Sequence, residues 1–97
     1  MKLPVVWLPE ADVELKEAWT RYDGIRPELG QRFAGAVADT VDRIAAAPLS
    51  YAVVEKGRRR AGVHRFPYGL IFLVEESRIV VIACFHGRRD PGQWQGR

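Results

Sequence analysis

Apolar and polar positions recur with two different periods along this chain, and the change falls near Tyr51. Ahead of it, Leu3 to Leu8 is a short apolar run, which Pro4 confines to a strand start or a sheet edge. Pro9 then stands at a first helical position, with Glu10 and Asp12 set against the positive end of a helix. Ala11, Leu15, Ala18 and Tyr22 follow at helical spacing with Trp19 beside them, and Asp23-Gly24 is the expected stop, Gly24 suiting a left-handed cap. Pro27 opens a second helix whose apolar stripe is Leu29, Phe33, Val37, Val41 and Ile44, and Pro48 ends it. Charged residues four apart flank the stripes: Glu17 with Arg21, Glu28 with Arg32, Asp39 with Arg43. Gly30 and Gly35 each weaken the second helix by up to ~1 kcal/mol, and for Gly35 the expected reason is close packing against the first helix. So few residues separate the two helices that they should form an antiparallel hairpin.

Beyond Tyr51 the signals are those of strands. Ala52 to Glu55 is a short candidate closed by Gly57, and Ala61 to Phe66 alternates poorly but carries no helix signal. Leu70 to Val74 and Ile79 to Phe85 are β-branched and aromatic runs joined by Glu75-Glu76-Ser77-Arg78, which reads as a hairpin. Apolar residues fill both parities of the last run, so that strand is covered on both faces or lies at a sheet centre. The order is strand, helix, helix, then three or four strands. It predicts an α+β fold, β-α-α-β-β-β(-β), with the helical hairpin packed on one face of a twisted, mostly antiparallel sheet. The other face is left as a binding surface.

Composition narrows this picture. The 97 residues read as one domain, 1–97, and 47% hydrophobic with 28% charged residues is too apolar for disorder. Fifteen Lys and Arg against twelve Asp and Glu give a net charge of +3, and the only lysines are Lys2, Lys16 and Lys56. Arginine makes bidentate contacts with carboxylate and phosphate, so the partner is expected to be anionic, nucleic acid or acidic protein. Cys84 is the single cysteine, which excludes an intrachain disulfide, and within an apolar run it reads as a small buried hydrophobe. With neither a signal-peptide core near Met1-Lys2-Leu3-Pro4 nor an apolar stretch of the ~20 residues that span a bilayer, the expectation is a soluble cytoplasmic protein without a membrane role.

Three groups carry candidate chemistry. Arg58, Arg59 and Arg60 follow the Gly57 turn, where they either hold an anionic partner or block edge-to-edge aggregation. His64 and Arg65 fall in a segment read as strand, where an arginine among apolar neighbours needs a carboxylate, a carbonyl or a ligand. His86 ends the last strand and is followed by Arg88, Arg89, Asp90 and, further on, Trp94. Such a histidine can act as general acid or base, with arginines steadying phosphate charge. Equally, it can close the strand by a backbone hydrogen bond while Arg88 and Arg89 pair with Asp90 or an acidic neighbour. His64, His86 and Cys84 lack metal-ligand spacing, no phosphate loop or nucleophile elbow is present, and no cofactor is expected. Trp7, Trp19 and Trp94 are scattered and read as packing residues.

These residues resemble a known family. Val6-Trp7-Leu8-Pro9-Glu10-Ala11 with Leu15, Leu29-Gly30-Gln31-Arg32-Phe33, Pro48, Arg65-Phe66-Pro67-Tyr68-Gly69, and His86-Gly87-Arg88-Arg89-Asp90-Pro91 with Trp94 are similar, in that order, to the RelE/ParE toxins, also called plasmid-stabilisation proteins. The resemblance implies the toxin of a type II toxin–antitoxin pair, wrapped by a cognate antitoxin. RelE-type members cut messenger RNA on the ribosome; carried over, that role falls on His86 as acid or base and Arg65 as phosphate ligand, in a metal-independent endoribonuclease. ParE-type members instead poison DNA gyrase. Gly87 stands where a C-terminal tyrosine often follows, the lysine-rich stretch of RNA-cutting members has only Arg58 to Arg60 in its place, and the Gly-Arg-Arg-Asp run looks closer to the ParE branch. The resemblance therefore implies a gyrase inhibitor acting through Arg58, Arg59, Arg60, Arg65, Arg88, Arg89 and Trp94, the alternative being the RelE-like nuclease.

Overall fold

The chain begins with strand β1 (Val5–Trp7), which passes through Leu8 directly into helix α1 (Pro9–Ile25). A computed structural model describes residues 2–88 and 92–97. Proline at the first helical position and Glu10 and Asp12 in the first turn start α1 as their chemistry requires. The helix does not stop at Gly24. It runs on to Ile25 and breaks at Arg26, which is extended (φ −168°, ψ 148°) because the following Pro27 disfavours helical backbone at the residue before it. Helix α2 (Pro27–Ala46) starts at that proline and ends ahead of Pro48, where a short 3-10 turn (Pro48–Ser50) follows. Only Arg26 separates the helices, and the hairpin forms as expected.

Its packing corrects two sequence expectations. Gly30, not Gly35, is the close-approach glycine: a Cβ there would lie 3.0 Å from the Asp23 Cβ, whereas one at Gly35 meets no atom within 4 Å. The ion pair on these helices is Asp12–Lys16 at 2.8 Å. Among the described residues Glu17–Arg21, Glu28–Arg32 and Asp39–Arg43 do not pair, since exposed carboxylates gain little from ordering a long side chain. Trp19 is not a packing residue either; it is 41% exposed.

Strands β2 (Val53–Glu55), β3 (Arg58–Gly62), β4 (Tyr68–Val74) and β5 (Ile79–His86) follow, and a short helix α3 (Gly92–Gln95) lies beyond them. Among the described residues the five strands form one sheet in the order β1-β5-β4-β3-β2, antiparallel except where β1 runs parallel to β5. The segment from Ala61 to Phe66 is not a strand. The arginine triplet is the strand instead, paired through Arg59 with Phe72 and Arg60 with Ile71, and the chain leaves the sheet at Gly62. Residues 63–67 make a turn in which the Val63 N–H donates to the Tyr68 carbonyl and the Phe66 N–H to the Val63 carbonyl.

Strand β5 is buried on both parities, as its sequence predicted. Its register against β4 skips Ile82, with Ile71 opposite Ala83 and Phe72 opposite Val81, so Ile82 and Ala83 both turn to the same face. One face carries Leu70, Phe72, Ile79, Val81 and Cys84 against Ala11, Ala18, Phe33, Val37 and Ile44 of the helices. The opposite face carries Ile71, Val80, Ile82 and Phe85. That second face is not left open: Trp94 of α3 packs on it, its ring 6.1 Å from that of Phe85.

The chain end is fastened at the β5 edge. β1 ends at Trp7, so the β5 backbone past Val81 lacks a neighbouring strand there. The Cys84 N–H donates to the Glu14 carboxylate (3.2 Å), and Arg97 donates to the Ile82 carbonyl (3.0 Å) and to both Glu14 oxygens (2.7 and 3.1 Å).

Candidate functional site

The pleat of β3 sends its three arginines to different places. Arg59 turns to the helix side, where its Nη1 donates to the Tyr51 carbonyl (2.6 Å) and the Leu49 carbonyl (3.4 Å). Arg58 and Arg60 turn to the opposite face. The Arg58 guanidinium donates to the Arg97 carbonyl, and its Nε is buried with no hydrogen-bond partner among the described residues, as are Glu55 Oε2 and Trp94 Nε1. Arg60 lies over the Phe85 ring, 5.6 Å from its centroid, and crosses Gly69, where a Cβ would come within 3.1 Å of the Arg60 Nε. Glycine at 69 is therefore what lets the arginine lie flat. These residues and Trp94 form one basic and aromatic face.

At the end of β5 a second cluster forms around His86. Its register partner is Tyr68, and the two rings meet edge to face at 5.3 Å. The His86 Nδ1 accepts the Arg88 N–H at 3.1 Å, the strand-closing bond that the sequence left open as one alternative. The Tyr68 hydroxyl in turn accepts a hydrogen bond from Arg21 on α1, which holds the Arg21 guanidinium above its ordinary value. Burial, reinforced by Tyr68 and opposed by Arg21, pushes the Tyr22 hydroxyl above its ordinary 10.0. Arg21 and Tyr68 are site residues that sequence reasoning missed. Arg21 was assigned to Glu17 by helical spacing, and Tyr68 carried only its place in the Arg65-Phe66-Pro67-Tyr68-Gly69 run of the resemblance.

His64 and Arg65 lie elsewhere. Both are exposed, in the turn after β3, and Arg65 holds a positive φ of 68°. They line a cleft of about 720 Å³ with Arg32, Asp39 and Phe66, a cleft that His86 does not line. The same turn touches the end of β5, where the Gly87 N–H beside His86 donates to the Pro67 carbonyl at 2.7 Å. Leaving the sheet at Gly62 brings Arg65 to the cleft beside α2. Arg89 lies outside the described residues, and Trp94 is buried against the sheet.

A family model described as the ParE toxin of the type II toxin–antitoxin system, parDE, matches residues 5–91. The chain belongs to the ParE toxin family. The family match contains Arg58, Arg59, Arg60, Arg65, His86 and Arg88, whereas Trp94 and Arg97, which close the second face of the sheet, lie beyond it. A solved structure described as the chromosomal ParDE TA system from P. aeruginosa shares the fold, with a TM-score of 0.75 at 18% identity over 88% of this chain and 96% of that one. No curated protein matches the chain. As a ParE-family member it is placed among the toxins of toxin–antitoxin pairs, and no helix among its described residues is long and apolar enough to cross a membrane.

Proposed function

We propose that this ParE-family chain halts bacterial growth by engaging DNA gyrase as a binding protein, in the cytoplasm, and that a cognate antitoxin neutralises it. The observation that carries the reading is that the His86 Nδ1 is taken up by its own strand end, where it accepts the Arg88 N–H at 3.1 Å. Hydrolysis of a phosphodiester needs a proton carrier and a phosphate ligand within hydrogen-bond reach of the same group. Here the His86 Nδ1 is held by the Arg88 backbone and the neighbouring tyrosine hydroxyl by Arg21. The basic face of Arg58 and Arg60 with the strand end at Arg88 is the contact surface for the target. Guanidiniums on a rigid sheet suit steered recognition of an acidic surface or of the DNA that gyrase holds.

The test is inducible expression of the chain alone in bacteria, with DNA and protein synthesis labelled separately. The reading expects DNA synthesis to fail first and co-expressed antitoxin to restore growth. Immediate loss of translation, abolished by His86→Ala, points instead to the ribosome-dependent mRNA endonuclease.

A further inference from the structure

Residues 92–97 lie across the second face of the sheet and are held there at two points. Helix α3 has four residues, too few to stay helical without support, because a first turn fixes more backbone than its hydrogen bonds offset. Trp94 is one hold, buried in a cluster with Ile71, Ile82 and Phe85. Arg97 is the other. Its guanidinium sits on the Glu14 carboxylate and the Ile82 carbonyl, and its own carbonyl accepts from the Arg58 Nη2.

In this closed arrangement three polar atoms go unsatisfied. Trp94 Nε1, Arg58 Nε and Glu55 Oε2 are buried with no hydrogen-bond partner among the described residues. A buried bond left unmade costs more than an ordinary hydrogen bond contributes. Glu55 and Arg58 are register partners across the β2–β3 turn, so their side chains leave the same side of the hairpin as neighbours. Opposite in charge, they still form no ion pair among the described residues; the Arg58 guanidinium reaches the Arg97 carbonyl instead.

We propose that residues 92–97 are a strap that opens while the sheet stays folded, and that Arg58 changes partner as it does. Closed, Arg58 holds the Arg97 carbonyl. Open, it turns to Glu55, the Trp94 indole N–H reaches water, and the apolar face of Ile71, Ile82 and Phe85 is bared beside Arg60. Each arrangement satisfies groups that the other leaves unpaired, which is how a small element comes to have two states of similar energy. The strap thereby gates the face assigned above to the target. That role rests on the gyrase reading, whereas the opening itself does not.

The experiment is hydrogen exchange on the full-length 15N-labelled chain, with protection expressed against an unstructured peptide. The Trp94 indole N–H and the Arg97 amide report the strap, and the Leu70 and Phe72 amides report the sheet. Local opening makes the strap protons at least about a hundredfold less protected than the sheet amides. Glu55→Gln removes the charge that draws Arg58 in the open state, so it should raise strap protection about tenfold, the loss of one charged pair. A glutamate serving only the hairpin would leave strap protection unchanged or lower it. Arg97→Ala loses the clamp and should lower strap protection relative to the sheet amides. The proposal is overturned if strap and sheet exchange alike, or if Glu55→Gln fails to protect the strap. With gyrase and supercoiled plasmid, Arg97→Ala should raise the yield of linear DNA and Glu55→Gln lower it. Equal yields from all three chains overturn the gating role. Linear DNA from none of them, the unaltered chain included, counts against the gyrase reading and leaves the exchange result to decide the strap.

Discussion

At the turn between β2 and β3, Lys56 and Gly57 both take positive φ, 47° and 78°. Glu55 and Arg58 pair directly across them, so this is a two-residue hairpin loop of the kind that favours Asn-Gly. Lysine has a Cβ and no side-chain group suited to that conformation. Lys56→Asn should therefore stabilise the fold by about 0.5–1 kcal/mol, read as a higher denaturant midpoint at unchanged slope. Tyr22 gives a second prediction. Its folded pKa is raised, so above about pH 10 the unfolded chain loses a proton that the folded chain keeps, and stability falls as pH rises through that window. Below it the contribution is fully present. Tyr22→Phe should flatten this alkaline decline, which chemical denaturation at about pH 9 and about pH 11 measures. Neither effect was legible in the sequence. A positive φ at lysine or arginine has no composition signal, and the burial of Tyr22 depends on Phe33, Phe66 and Tyr68 arriving from three separate segments.

Elements were far more legible than residues where proline marks them. Pro9, Pro27 and Pro48 fix helix starts and stops because each restricts its own φ and the backbone before it. Gly24 misled for a related reason: glycine permits a stop but does not force one, and Pro27 two residues past the helix supplied the stop instead. The β3 segment was shifted because Arg58 to Arg60 read as turn charges, when the tight loop at Lys56-Gly57 turns the chain early enough to put them in the strand. The β5 edge had no local signal, since Glu14 and Arg97 meet only in the folded chain. Both side chains are mostly buried, 13% and 17% exposed, and Glu14 also accepts the Cys84 N–H. Glu14→Ala removes the carboxylate that this amide and the guanidinium share, while Arg97 keeps the Ile82 carbonyl. It should cost about 2–4 kcal/mol and speed exchange of the Cys84 amide, measured by thermal unfolding and hydrogen exchange.

For the whole molecule, the order of elements was enough to predict a helical hairpin on one sheet face, since each apolar stripe must find a partner. The parallel pairing of β1 with β5 was not readable, because it joins residues far apart in sequence and leaves no periodic trace. Nor was the cover on the second face: Trp94 and Arg97 turn what the sequence left as an open surface into one partly closed by the chain's own end. Among the described residues, exposed arginines lie in the turn after β3, at the strand end and on α2. The most direct measurement incubates the purified chain with DNA gyrase and supercoiled plasmid, then denatures the protein and looks for linear DNA. Binding to gyrase predicts linear plasmid that requires both proteins, at a level unchanged in His86→Ala. Intact plasmid under these conditions, with messenger RNA cleaved in a ribosome assay and spared by His86→Ala, contradicts the account.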